Sequence, residues 1–422
     1  MWDPWAANFS SLDTTMTTSI FKLTHLPAEL LCYILFFLTN KNDLRHLCLT
    51  SRILLPESRR RLYRHVWFKG MKNLMLWTET ILSSDIHAAL VFTVTLPSRG
   101  GLSGYYERAL GKCLAALPHL EKLNISHWMT QKTSNAYLSP KMLEGCSKSL
   151  RSFNNDLADV KFNQEAFAPL GFFATHPNIQ SIRIAHTTVH DMLPLSYDGE
   201  VPLDILPELS ILQVEDVDIL QAFRLKPIQR LCIGAVALTL KTIKVLIEAL
   251  EPFCDTLISL CVQVIRLDRR ASMANFIEQL ATCVPKLRHL SLLGLIGSAI
   301  AANLIPGESI SFLLTPMRAL PNLQTLIIGT SCMMIKLGGW GPPTNFTLYL
   351  KTTHAHTPHL IVNEDLSKFF GICKKLEKVT FGCARDFSGA PPKCFMRSRR
   401  CGGVVVECQG EDFLDTGYWV VA

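Results

Sequence analysis

The stretch Leu117-Pro118-His119-Leu120-Glu121-Lys122-Leu123-Asn124-Ile125 states a phrase that the chain goes on to repeat. Its pattern is apolar-x-x-apolar-x-apolar, and copies begin at Leu120, Leu150, Ile179, Leu209, Ile228, Leu257, Leu287, Leu323 and Leu376. Successive copies lie 30, 29, 30, 19, 29, 30, 36 and 53 residues apart. In a chain that is 48% hydrophobic such a pattern arises often by chance, so the apolar spacing alone decides little. Proline decides more. It stands two places before the first apolar residue at Pro118, Pro177, Pro207, Pro285 and Pro321, where a background usage of about 5% predicts fewer than one occurrence. Proline there disfavours helix in the residue before it and opens an extended segment. The copy at Leu150 is degenerate, with Asn155 in place of its last apolar residue.

Between these strand phrases lie segments with apolar residues at helical spacing. Thr239 to Leu250 carries Ile243, Leu246, Ile247 and Leu250; Ala271 to Cys283 carries Phe276, Ile277 and Leu280; Glu364 to Cys373 carries Leu366, Phe369 and Phe370. A strand and a helix every 29 or so residues resembles a leucine-rich-repeat solenoid. The Asn that usually follows the last strand Leu in such repeats is missing, so these are irregular copies. The 19-residue step from Leu209 to Ile228 leaves no room for a helix, and the two longest steps hold insertions, one marked by Gly338-Gly339-Trp340-Gly341-Pro342-Pro343. Val404-Val405-Val406 and Tyr418-Trp419-Val420-Val421 are expected to form a β cap. A doubly wound α/β domain would also alternate strands and helices. The solenoid is preferred because the strand phrase repeats itself and no Gly-rich phosphate turn follows any strand.

Composition narrows the function classes. At 422 residues the chain is too long for one compact core and suits several domains or an elongated array. Lys plus Arg is 42 and Asp plus Glu 35, and the resulting +7 gives no basic stripe of the kind nucleic-acid binders carry. Mean hydropathy is +0.22, but the longest uncharged apolar run, Leu290 to Ile305, is 16 residues and stops at Pro306-Gly307, short of the roughly 20 that a spanning helix wants. No membrane segment is expected, nor is a signal peptide, since no basic stretch precedes an apolar one at the N-terminus. The 14 cysteines are scattered, without a Cys-x-x-Cys pair, and many sit in apolar segments. That usage points to a reducing compartment, cytosol or nucleus.

The first 20 residues are polar and lack periodicity, and are expected to be a disordered lead-in. The pattern changes at Phe21. Leu26-Pro27-Ala28-Glu29-Leu30 opens a helix with Leu30, Leu31, Ile34, Phe37 and Leu38 at helical spacing. Asn42 or Asp43 is placed to cap a second helix bearing Leu44, Leu47 and Cys48, and a third segment runs from about Glu57 to Trp67. Three short helices make a marginal core, and Leu26, Pro27, Leu31, Tyr33, Phe36, Phe37 and Leu55 cannot all point inward. Such a module expects a partner surface. The cluster Arg59, Arg60, Arg61, Arg64 and Lys69 reads either as a solvated face or as a surface for an acidic partner.

The run Leu26-Pro27-x-Glu29-Leu30-x-x-x-Ile34-x-x-x-Leu38, followed by Asp43-Leu44-x-x-Leu47-x-Leu49-x-Ser51-Arg52-x-Leu54, resembles an F-box. Arg61-Leu62-Tyr63-Arg64-His65-Val66 is similar to the end of the module in many fungal F-box proteins, although Leu62-Tyr63 stands where a Trp is common. The resemblance implies docking onto the Skp-type adaptor of a cullin-based (SCF) ubiquitin ligase through Leu26, Pro27, Leu30, Ile34, Leu38, Leu44 and Leu47. An ordinary three-helix subdomain is the alternative. The expected organisation is α/β, a leucine-rich-repeat-like solenoid at 113–422 preceded by a small three-helix F-box-like module at 21–68. Residues 69–112 form either a linker or a degenerate first repeat.

Catalytic signatures are missing: no G-x-S-x-G, Walker loop, H-E-x-x-H, or G-x-G-x-x-G after a strand occurs. Gly100-Gly101-Leu102-Ser103-Gly104 reads as a loop, His354-Ala355-His356-Thr357-Pro358-His359 lacks ligand spacing, Cys394, Cys401 and Cys408 do not match a zinc pattern, and the tract from Lys393 to Arg400 reads as a solvated loop. No catalytic role and no cofactor are expected. The candidate surface for a target protein is the set of residues between the apolar strand positions: Lys122, Asn124, Arg183, Gln213, Arg230, His289, Ser291, Thr325, Lys378 and Thr380.

Overall fold

A computed structural model describes residues 26–38, 40–68, 70–96, 104–125, 143, 145–155, 169–184, 200–214, 217–267, 270–293, 314–330, 370–383, 393–397 and 405–409. The lead-in at 1–20, the loop at 338–343, the histidines at 354–359, Cys401 and Tyr418 to Val421 lie outside the described residues. So does most of the helix expected from Glu364. The chain divides into two compact units whose boundary falls between Val66 and Trp67.

The first unit holds three helices, α1 (Ala28–Phe36), α2 (Lys41–Thr50) and α3 (Leu55–Arg64), and the short strand β1 (His65–Trp67) runs across the boundary. Pro27 is the residue just before α1, and its carbonyl accepts from the backbone N–H of Leu30 and Leu31. The cap of α2 is Asn40, whose side chain accepts from the Asn42 N–H at 2.9 Å, rather than Asn42 or Asp43 as the sequence suggested. Asn40 wins because it already holds the extended backbone that a cap requires. The third helix starts with Pro56 in its first turn and ends at Arg64, three residues before the expected Trp67, where His65 turns extended. Leu31, Leu35 and Leu54 form the core, with Leu26, Leu38 and Leu47 packed against it. Arg61 ties the unit together: its Nη1 donates to the Leu35 carbonyl at 2.7 Å and its guanidinium lies over the Phe36 ring.

The second unit is built on parallel strands laid down in chain order. They are β2 (Thr93–Leu96), β3 (Lys122–Ile125), β4 (Ser152–Asn155), β5 (Ser181–Ile184), β6 (Ile211–Val214), β7 (Arg230–Leu238), β8 (Ser259–Leu267), β9 (His289–Leu293), β10 (Thr325–Thr330) and β11 (Lys378–Cys383). Each pairs in parallel with the next. Two antiparallel strands, β12 (Lys393–Arg397) and β13 (Val405–Gln409), follow. Helices α4 (Met71–Leu82), α5 (Asp85–Ala88), α6 (Gly104–Ala115), α7 (Pro169–Thr175), α8 (Leu240–Leu250), α9 (Arg270–Cys283) and α10 (Leu314–Met317) fall between strands or before the first. A sheet in strict chain order, with no reversal of strand order, is a solenoid and not a doubly wound domain. The fold is leucine-rich-repeat-like.

All nine sequence phrases place their strand two residues after their first apolar residue. A tenth copy, Val91-x-x-Val94-x-Leu96, gives β2 inside the 69–112 stretch. The apolar positions of the phrases whose side chains are described are buried, as at Leu120, Leu123 and Ile125 or Leu257, Leu260 and Val262. Fully burying each such side chain contributes roughly 1.5–3 kcal/mol. The degenerate position Asn155 still pairs in register with Ile125 and Ile184. Two expectations are corrected. Lys393 to Arg397, read as loop, is strand β12, because it pairs with β11 on one side and β13 on the other. The 19-residue repeat is not bare: a short 3-10 helix at Val217–Phe223 takes the place of an α-helix.

That short repeat needs its own fastener. The Lys226 ammonium is buried and donates to the Pro202 carbonyl at 2.6 Å, to the Leu203 carbonyl at 3.2 Å and to the Ile205 carbonyl. It thereby satisfies carbonyls of the segment that leads into β6. Regular repeats are fastened differently. The residue before the first apolar position reaches back to the preceding repeat: Ser149 Oγ to the Pro118 carbonyl, Asn178 Nδ2 to that of Lys148, Lys286 Nζ to that of Asp255, and Asn322 Nδ2 to that of Pro285. A polar ladder therefore runs before the strands, on the opposite side from the missing Asn.

Candidate functional site

Alternation along each strand sends one set of side chains to the core and the other to the opposite face. Register then sorts the second set into two rows. The first row is Thr93, Lys122, Ser152, Ser181, Ile211, Arg230, Ser259, His289, Thr325 and Lys378. The second is Thr95, Asn124, Asn154, Arg183, Gln213, Cys232, Cys261, Ser291, Ile327 and Thr380. All ten target-surface candidates fall in these rows. The rows also hold members outside that candidate set, among them Thr95, Ser152, Asn154, Ser181, Cys232 and Cys261.

Exposure divides the rows. Lys122 is exposed, and Asn124, Arg183, Gln213, Arg230, His289 and Lys378 are partly exposed. Ser291 and Thr325 are not: at 6% and 7% exposure they offer almost no surface to a partner. The side chain of Thr380 lies outside the described residues. At the N-terminal end the second row is an amide ladder, with Asn154 Nδ2 donating to Asn124 Oδ1 at 2.7 Å and Asn124 Nδ2 donating to Thr95 Oγ1 at 2.9 Å. Further along, Cys232 and Cys261 face each other in register and are both buried. The hydrogen bond from Cys261 and burial hold the Cys232 thiol well above the ordinary range, which keeps it protonated and unreactive. Burial, with Arg230 and Arg288 adding repulsion, pulls His289 below its ordinary value, and its Nδ1 is buried without a hydrogen-bond partner among the described residues.

A polar groove of about 390 Å³ runs along the edge from which the strands start, lined by Glu121, Ser149, Arg151, Asn178, Gln180 and Glu208. Two of its members, Ser149 and Asn178, belong to the fastening ladder, so the groove is first a structural seam. Among the described residues no group of three or more His, Cys, Asp or Glu side chains could hold a metal ion. Among them, too, no helix is long and apolar enough to cross a membrane.

The first unit presents a different surface. On α1 the residues at i, i+3, i+4 and i+7 from Leu30 form one face: Leu30 (48% exposed), Tyr33 (63%), Ile34 (41%) and Phe37 (61%). Leu31 and Leu35 take the opposite face into the core. Of the candidate adaptor-binding residues, Pro27, Leu30 and Ile34 are exposed; Leu26, Leu38 and Leu47 are partly buried against the core, and Leu44 is buried. Those four serve packing. Tyr33 and Phe37, absent from the candidate set, share the exposed face, and their edge-to-face contact at 5.0 Å holds the rings in place. The sequence had already marked both rings as side chains that cannot all point inward, without assigning them to the adaptor-binding set.

No protein-family model matches the chain, and no curated protein matches it. Among solved structures, the crystal structure of the leucine-rich repeat-containing protein LegL7 from Legionella pneumophila is similar. The two share 16% identity with a TM-score of 0.41, over 69% of this chain and 91% of the other.

Proposed function

We propose that the protein is a non-catalytic substrate-recognition adaptor: the repeats hold a target protein while the helical module docks onto the Skp-type adaptor of a cullin-based ubiquitin ligase. The observation that carries this reading is the exposed face of α1. Leu30, Tyr33, Ile34 and Phe37 are large, apolar and adjacent on a module whose own core is only a few leucines. Contiguous apolar surface of this kind marks a protein contact, and burying it is worth roughly 25 cal/mol per Å² before association costs. The F-box-like order of residues from Leu26 to Leu54 supports a Skp-type adaptor as the partner. The adaptor would act by raising the concentration of the target near a charged ubiquitin carrier.

The test is direct binding of a purified Skp-type adaptor to the full chain and to its Leu30→Asp/Ile34→Asp variant. Both positions are exposed, so the variant keeps its melting transition. The reading expects tight binding by the wild type and loss by the variant. A wild-type chain that does not bind leaves a repeat scaffold with no ligase role.

A further inference from the structure

The apolar face of α1 sits on a helix of nine residues, too short to hold its shape alone. The last turn of a helix gathers partial negative charge on its terminal carbonyls, and α1 has no basic residue there to meet it. The cation comes from α3 instead. Arg61 donates from Nη1 to the Leu35 carbonyl at 2.7 Å, the same carbonyl that accepts from the Leu38 N–H at 3.1 Å. The Arg61 side chain is only 21% exposed. Glu57, one turn back on α3, does not draw it away: that carboxylate is held by Arg60 at 2.8 Å and stands 4.0 Å from Arg61 Nε.

The same guanidinium lies 4.7 Å from the centre of the Phe36 ring. Phe36 meets Phe37 edge to face, with centroids 5.7 Å apart and planes at 90°, and Phe37 meets Tyr33 at 5.0 Å and 85°. A line of contacts therefore runs from α3 through Phe36 to two of the four side chains of the exposed face. All three rings are exposed, so the core of the module does not fix them; the ring contacts do.

Order in such a face bears on binding. Each exposed side chain that a partner must immobilise costs affinity, and a face already held in one arrangement avoids part of that cost. We infer that Arg61 is the positioning residue of the α1 face. It fixes the end of the helix through the Leu35 carbonyl and sets the rings of Phe37 and Tyr33 through Phe36, so that the face meets its partner already arranged. This deepens the reading of α1 as the docking face and rests on it. It also sets Arg61 apart from Arg60, its neighbour in the basic cluster, whose side chain is 53% exposed and is held by Glu57.

The experiment uses the full chain labelled with fluorotyrosine and read by fluorine NMR, with the Tyr33 resonance assigned by its loss in Tyr33→Phe. In Arg61→Met that resonance should narrow and move toward the position of free fluorotyrosine. An unchanged Tyr33 resonance overturns the inference. Binding of a purified Skp-type adaptor should weaken about fivefold in Arg61→Met, in line with the cost of ordering exposed side chains on association. Arg45→Met removes the same charge from an exposed site on α2 and should leave binding within about twofold of wild type. Equal losses from the two variants would assign the effect to net charge and overturn the inference. Phe36→Leu breaks the relay while keeping the Arg61 donor and the Leu35 carbonyl, so it decides the matter if Arg61→Met does not fold: it too should free the Tyr33 ring, and a Tyr33 resonance like the wild type's overturns the inference. The double variant Arg61→Met/Phe36→Leu should lose less than the two single losses combined, whereas full additivity contradicts transmission through Phe36. A wild-type chain that does not bind the adaptor sinks the ligase reading alone, and the Tyr33 resonance still decides whether Arg61 sets the face.

Discussion

The two units solve the burial problem in opposite ways. In the repeat unit the apolar positions of successive copies stack into one core that neighbouring repeats cover, so Leu123, Leu212, Leu260 and Leu290 are almost wholly buried. The helical unit has too little chain to do this. It hides Leu31, Leu35 and Leu54 and leaves Leu30, Tyr33, Ile34, Phe36 and Phe37 outside. The exposed apolar residues of the module are therefore the ones on which the proposed docking rests, whereas those of the strand phrases serve the core. For charge the roles reverse: Arg61 in the module is bound to the Leu35 carbonyl and the Phe36 ring, while the repeat cations line the face opposite the core.

The contrast can be broken most forcefully by truncating one leucine of each kind. Leu260→Ala should cost about 2–5 kcal/mol in urea unfolding of the repeat unit, because a fully buried methyl cluster is lost and a cavity left. Leu30→Ala should stay within about 0.5 kcal/mol of wild type, since its side chain already meets solvent. Similar costs at the two sites would show that the α1 face is core.

Within the repeats, the short copy and the regular copies are held by different fasteners. Lys226→Met should cost roughly 2–3 kcal/mol, because it strips a charged donor from the Pro202, Leu203 and Ile205 carbonyls. Asn178→Ala removes one ladder bond at an exposed edge, and about 0.5 kcal/mol is expected. A reversed order would mean that the short copy is held by its apolar contacts alone.

The smallest effect concerns pH. The pKa of His289 is lowered in the folded chain from 6.5, so between the folded and unfolded values the unfolded chain holds the proton. Its contribution to stability is complete above pH 6.5 and falls as pH drops through that window, levelling below the folded value. His289→Gln should flatten this part of the melting temperature against pH. An unchanged profile would rule out His289 as its source.

The strand phrase made most of the repeat unit legible in advance, because a period of two on a half-buried strand is a local signal. The nine strand starts follow from Leu120 to Leu376 without structural help. Helices α8 and α9 were also readable, since Thr239 caps the first through a reciprocal bond with Thr242 and both carry a clear apolar stripe. The copy at Val91 was legible only as one of two readings of 69–112, linker or degenerate first repeat, since no proline stands two places before it. Long-range fasteners were invisible: nothing near Lys226 in sequence announces that its ammonium meets carbonyls 21 to 24 residues away. The face rows were half legible. Alternation named their charged members, but burial of Ser291 and Thr325 depends on neighbours that only register brings together.

The proposed function places separate binding surfaces on the two units. Hydrogen–deuterium exchange of the full chain, with and without a purified Skp-type adaptor, tests it most directly. Protection concentrated in residues 28–38 and the adjoining helices of the module, with strands β3 to β11 unchanged, is the predicted result. Protection of those strands by the adaptor, or none in the module at saturating adaptor, would contradict it.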